Sequence, residues 1–208
     1  MAVKSNFLTM TVVLTVVCLV CSGILGGVYA LTADPIAQTN RAILERSVRE
    51  VLPEGGILSD AKALQVGGRE SEYYLSARED GTPLAYAVKS VVNGFGGALE
   101  MMVGITADGQ VYNTSVLSHS ETPGLGAKCT EDEAFYGQFS SGSAYSKHVA
   151  ASTPEKDLQV KKDGGSLDAI TASTITSRAY ILAVRQALEA YRTLQGEAAQ
   201  NEGGQSNE

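Results

Sequence analysis

From Phe7 to Leu31 the chain carries no charged side chain: F-L-T-M-T-V-V-L-T-V-V-C-L-V-C-S-G-I-L-G-G-V-Y-A-L. A helix needs roughly 20 apolar residues to cross the hydrocarbon core, and this run is about 25 long. A transmembrane helix is therefore expected over 7–31. A cleaved signal peptide is the competing reading. Its apolar region is shorter, about 7–15 residues, but V-Y-A at Val28–Ala30 would serve as a cleavage site. A lipoprotein site at Cys21 is disfavoured by the bulky Val20 before it. Lys4 precedes the run and Asp34 follows it. The positive-inside rule then places residues 1–6 in the cytoplasm and the rest of the chain outside.

Beyond the anchor, D-P-I-A-Q-T-N-R-A-I-L-E-R-S-V-R-E-V-L-P spaces Ile36, Ile43, Leu44, Val48, Val51 and Leu52 as a helix does. Pro35 suits a first turn, and Pro53 ends the pattern. A polar connector with Gly55 and Gly56 follows. Strand-like runs come next, near Glu72–Arg78 and at Leu84–Val92, Ala98–Thr106 and Val111–Ser118. The last two are joined by A-D-G-Q, a hairpin signal. The segment Glu131–Phe139 has helical character. A final helix starts near Thr174, with Ile181, Val184, Leu188, Tyr191 and Leu194 on one buried face. The tail 196–208 has no large apolar residue and is expected to be disordered. Central strands with helices at both ends predict an α+β fold: a single domain over 32–195 with a mostly antiparallel sheet and flanking helices.

The net charge is −7, and phosphate backbones require a basic face, so nucleic acid is excluded as the expected partner. Of three cysteines only Cys129 lies beyond the apolar run, which rules out a disulfide within the soluble part. With only His119 and His148, no histidine-based metal site is expected.

Three stretches carry candidate chemistry. V-N-G-F-G-G-A-L-E (Val92–Glu100) is either a tight connection or a loop that lets a ligand approach backbone at Gly96 and Gly97. S-H-S-E-T-P-G-L-G-A-K-C (Ser118–Cys129) gathers Glu121, Thr122, Gly126 and Lys128, more than the Pro123–Gly124 turn requires. D-A-I-T-A-S-T-I-T (Asp168–Thr176) precedes the last helix. Asp168 or Thr171 can cap it. The same helix N-terminus is also an anion site, where Thr171, Ser173, Thr174 and Thr176 add hydroxyl donors for a phosphate. Spacing alone does not choose between cap and phosphate.

This last stretch resembles the D-x-x-[ST]-G-A-T-x-[ST] signature of FMN-binding domains in membrane electron-transport complexes. The family includes the G subunit of the Rnf complex and the C subunit of the sodium-pumping NADH:quinone reductase. E-T-P-G-L-G-A-K (Glu121–Lys128) is similar to the family's E-T-P-G-L-G loop. N-G-F-G-G followed by M-M-V-G-I is similar to its G-Y-G-G loop and the next strand. The three motifs in this order behind one membrane helix cover the chain to about Leu194, and the E-T-P-G-L-G loop points to the Rnf type. The motif glycine is Ala172 here, and the motif alanine is Ser173. A left-handed backbone at Ala172 would cost about 1–2 kcal/mol.

The resemblance implies covalent FMN, esterified through its phosphate to Thr174 by a separate flavin transferase that uses FAD. It implies a phosphate ringed by Thr171, Ala172, Ser173 and Thr176 behind Asp168. It implies a flavin pocket shaped by Glu121, Thr122, Leu125, Gly126, Gly96 and Gly97. The expected role is electron transfer inside a ferredoxin:NAD oxidoreductase that moves Na⁺ or H⁺, held by one helix in the plasma (inner) membrane with the domain extracytoplasmic. Such a subunit is not a stand-alone enzyme, and no residue is assigned as catalytic. Two alternatives stay open: the quinone reductase's C subunit, and a tethered binding module without flavin. A flavoenzyme reducing an external acceptor would need a second electron-input domain. A hydrolase lacks any G-x-S-x-G elbow.

Overall fold

The computed structural model describes residues 7–204, with side chains through Glu197. The expected cytoplasmic segment 1–6 and the last four residues of the tail lie outside the described residues. The chain divides into two units, Met1–Leu44 and Glu45–Glu208.

The first unit holds most of one helix, α1 (Phe7–Glu50). It is long and apolar enough to cross a membrane. The sequence predicts a break near Pro35 and a new helix there. Instead Pro35 lies inside α1, so the helix forgoes one backbone bond and continues. Threonine hydroxyls bond back to carbonyls within it, Thr32 to Val28 and Thr39 to Pro35, each at 2.9 Å.

In the second unit an antiparallel sheet forms from β1 (Ile57–Leu58), β2 (Lys62–Val66), β3 (Arg69–Ala77), β4 (Pro83–Asn93), β5 (Ala98–Thr106) and β6 (Val111–His119). The order is β1-β3-β4-β5-β6, with β2 also paired to β3. The expected α+β class with an antiparallel sheet is what the structure shows. Strand β2 stands where the sequence predicts only a connector. Its Leu64 and Val66 alternate inward, and Gly67 and Gly68, both at positive φ, turn it into β3. Strand β3 pairs with β4 only from Tyr73 to Ala77, so the β2–β3 hairpin departs from the plane of β4.

Helix α4 (Thr174–Gly204) packs on β4 and β5. Every residue of its predicted stripe is buried, from Ile181 to Leu194. Ala183, Ala187 and Ala190 share one buried core cluster with Tyr86 and Val88 of β4 and Val103 and Ile105 of β5, and their small side chains allow close packing of helix on sheet. The helix runs past Gly196 into the segment expected to be disordered. The helix reaches Gly204, and Glu197, Ala198, Ala199 and Gln200 are residue types of good helix propensity. The end of α1 joins this unit: Val48 and Val51 are buried, and Asn113 Nδ2 donates to the Glu50 carbonyl at 3.1 Å.

Between β6 and α4 the chain is mostly irregular. It contains α2 (Lys128–Glu131), α3 (Glu133–Tyr136) and two 3₁₀ turns. Three arginines spaced seven apart on α4 fasten it. Arg178 makes a two-point pair with Asp163 (2.7 and 2.6 Å), Arg185 pairs with Glu155 (3.2 Å), and Arg192 donates to the Ala151 carbonyl (3.0 Å). This spacing keeps all three on one helix face.

Candidate functional site

The segment before α4 turns sharply into the helix. Ala172 sits at φ +63°, in the left-handed region. Ser173 then supplies the first helical acceptor, its carbonyl taking the Ser177 N–H at 3.0 Å. Neither Asp168 nor Thr171 caps the helix. Ser177 reaches back from the first turn: its hydroxyl donates to the Ser173 carbonyl and accepts from the Ile170 N–H, both at 2.9 Å. The amides of Thr174, Ile175 and Thr176 have no intrahelical acceptor, as in any first turn.

Because Ala172 bears a Cβ in left-handed backbone, Ala172→Gly relieves strain while loosening the unfolded chain. The two effects leave a net gain of up to about 1 kcal/mol. A thermal melt in detergent should show the midpoint rising by up to a few degrees.

Asp168 is placed away from the helix end. Its carboxylate pairs with Lys161 (2.5 Å) and Lys147 (3.6 Å), and the hydrogen bond from Lys161 holds its carboxyl below the ordinary range. Its backbone is gripped by the buried Gln138, which accepts from the Asp168 N–H at 2.7 Å and donates to its carbonyl at 3.3 Å. Asp168 therefore fixes the approach to the turn. Thr171 is exposed on the turn's outer side.

Glu121 is only 6% exposed. Its Oε1 accepts from the Phe95 N–H at 2.8 Å and the Gly96 N–H at 3.3 Å. Its Oε2 accepts from the Thr176 hydroxyl at 2.8 Å. One carboxylate thus ties together the β4–β5 loop, the E-T-P-G-L-G loop and the first turn of α4. The glycines around it make room: a Cβ on Gly94 or Gly126 would overlap its oxygens. Gly96 lies against the Ser120 carbonyl, so its missing Cβ serves chain-to-chain contact, and Gly97 (φ +145°) closes the loop by accepting from the Gly94 N–H.

These segments surround a cleft of about 320 Å³. Glu121, Thr122, Leu125 and Gly126 form one wall, and Ala172, Ser173, Thr174 and Thr176 form the other. Phe95 and Ile175, which sequence reasoning left out, complete it. Phe95 is 69% exposed, and Leu125 and Ile175 are exposed too, so the rim is apolar. The Thr174 side chain is half-buried and borders the cleft. Thr176 differs from expectation. It is 1% exposed, and its hydroxyl is committed to Glu121. Asp168, Thr171, Gly96 and Gly97 do not line the cleft.

A larger cleft of about 460 Å³ opens where the β2–β3 hairpin leaves β4. Lys62, Arg69, Glu70, Glu72 and Lys89 line it, charges of both signs, with Arg69 and Lys89 already paired to Glu189 and Glu100. Among the described residues no helix begins at it, and none of its lining residues is aromatic.

Cys129 lies beneath the site and is fully buried. Burial pushes its thiol up to about 11, and the neighbouring Glu121 charge adds to the shift. An unfolded thiol titrates near 9, so the neutral thiol's contribution to stability is complete below that pH and is lost as pH rises through about 11. Native protein should resist iodoacetamide at Cys129 near pH 8 and react after denaturation. Mass analysis of the peptide reads the outcome.

A family model described as FMN-binding domain matches residues 94–189, a span that takes in every residue lining the smaller cleft. A second, described as RnfG N-terminal region, matches residues 1–51. The G subunit of the proton-translocating ferredoxin:NAD(+) oxidoreductase complex of Clostridium ljungdahlii is 34% identical, over 93% of this chain and 96% of its own. The G subunit of the ion-translocating oxidoreductase complex of Vibrio cholerae is 33% identical over 90% of each chain. Its counterpart in Shewanella baltica is 32% identical over 89% of this chain and 87% of its own. The crystal structure of Shewanella oneidensis NqrC aligns at a TM-score of 0.42 and 18% identity, over 68% of this chain and 65% of its own. That likeness is too loose to bear an argument.

Proposed function

The chain belongs to the G-subunit family of ion-translocating oxidoreductase complexes, and from that membership we propose that it is a membrane-anchored flavoprotein relaying electrons through FMN esterified to Thr174. The observation that carries the reading is the cleft between the start of α4 and the Glu121 loop. FMN has a phosphate at one end and a flat, largely apolar ring system at the other. The cleft offers the same polarity: first-turn amides with the Ser173 and Thr174 side chains on one wall, and the exposed Phe95, Leu125 and Ile175 at its rim. The residues present therefore fit the group.

Their roles follow from placement. Thr174 borders the cleft at the head of the helix, where its hydroxyl oxygen can bond phosphorus. The first-turn amides and the helix dipole favour the phosphate charge beside it. The left-handed turn at Ala172 directs the chain into α4, and the clamp on Asp168 by Gln138, Lys147 and Lys161 holds that turn. Phe95 presents an aromatic face for stacking. Bound FMN would supply electron transfer in single or paired steps, chemistry that the protein holds and tunes.

A flavin transferase drawing FMN from FAD completes the maturation, and the ester retains the cofactor outside the cell, where no FMN pool replaces a lost one. The same reading places the domain outside the cytoplasm, as the family resemblance implies. The relatives matched along nearly their whole length are G subunits, which favours an Rnf-type complex over the quinone reductase. Co-expression with a flavin transferase and a denaturing gel under ultraviolet light provide the test. A fluorescent band at the chain's mass is expected, and a dark band from folded protein contradicts the reading.

A further inference from the structure

We infer that Glu121 sets the reduction potential of the flavin by holding one uncompensated negative charge under the cleft. The inference rests on the reading of that cleft as an FMN site. Oε1 of Glu121 is one hydrogen bond from the backbone of Phe95, and Oε2 is one hydrogen bond from the first turn of α4. The carboxylate thus lies between the loop bearing the aromatic rim and the turn bearing Thr174. No ion pair among the described residues includes it. Two amides, a hydroxyl and the positive end of α4 are what stabilise it.

A side chain needed only to tie three segments together need not be charged. The glutamine carbonyl oxygen accepts from the Phe95 and Gly96 amides, and its NH₂ can donate to the Thr176 hydroxyl. What glutamine lacks is the charge. In a partly dry cleft a charge acts through a dielectric far below that of water. Reduction adds negative charge to the flavin ring, so a fixed anion beside it favours the oxidised form and lowers the potential. Glu121 acts here as a positioning and tuning residue, with no part in moving electrons itself.

The test is a reductive titration, against reference dyes at neutral pH, of full-length FMN-loaded protein in detergent. Glu121→Gln should favour reduced FMN at least tenfold, a rise of about 30 mV for a two-electron couple. Thr176→Val keeps the charge but removes the hydroxyl that offsets it, and should lower the potential. A purely structural role for Glu121 moves neither. Loaded Glu121→Gln protein with an unchanged or lower potential overturns the inference. If Glu121→Gln takes up no FMN, Thr176→Val decides: a lowered potential supports the inference, and an unchanged or raised one overturns it. Wild-type protein that takes up no FMN overturns the reading beneath, and this inference with it.

Discussion

Thr174→Val is expected to remove covalent flavin entirely while leaving the fold intact. Valine keeps the β-branched shape at the head of α4 and deletes only the oxygen that would bond phosphorus. Thr174 is half-buried, so stability should stay within about 0.5 kcal/mol of wild type. After co-expression with a flavin transferase, the variant's band on a denaturing gel should be dark beside a fluorescent wild type. The neighbouring hydroxyls do not substitute. Thr176 is turned inward onto Glu121, Ser177 is occupied at Ile170 and Ser173, and Ser173, though it lines the cleft, is 8% exposed where Thr174 is half-buried. Fluorescence persisting in the variant would move the attachment site elsewhere, with exposed Thr171 next to be tested.

Glu121→Ala is expected to be the most damaging substitution at the site. It strips the acceptor from two amides and a hydroxyl at once. An unsatisfied buried donor costs about 1–3 kcal/mol, so the sum is on the order of 3–5 kcal/mol once water reaches part of the opened cleft. The midpoint of chemical denaturation of the full chain in detergent should fall accordingly, and flavin loading should fall with it. Glu121→Gln should retain most of that stability, since it restores the acceptor. If alanine and glutamine were equally tolerated, the carboxylate would not be what joins the three segments.

The parts of this architecture that packing dictates are legible in the sequence. The stripe Ile181–Leu194 has to lie on one helical face, and A-D-G-Q between alternating runs has to turn a hairpin. Strand β2 is obscured because its inner face has only Leu64 and Val66, set among polar residues and ended by two glycines. The break expected at Pro35 follows from its missing N–H, a local cost that a long helix absorbs. At the site, the hydroxyl cluster points to the start of α4, and the E-T-P-G-L-G loop lies opposite it across the cleft. Which hydroxyl faces the cleft is not legible. Thr174 and Thr176 are equivalent by composition, and only the burial of Glu121 between two loops sends one inward. Phe95 is hidden in the sequence because the glycines around it draw attention to backbone, while its ring forms the rim. The left-handed Ala172 is foreseeable from the motif, since a position usually filled by glycine is one where φ is positive.

The central claim is a bond between the Thr174 oxygen and a flavin phosphate. Protein purified from its native membrane, digested and weighed by mass spectrometry, tests it most directly. The peptide containing Thr174 is predicted to be heavier by one FMN less one water, with fragmentation placing the addition on Thr174. The same peptide at its unmodified mass, from a complex active in electron transfer, would contradict the account.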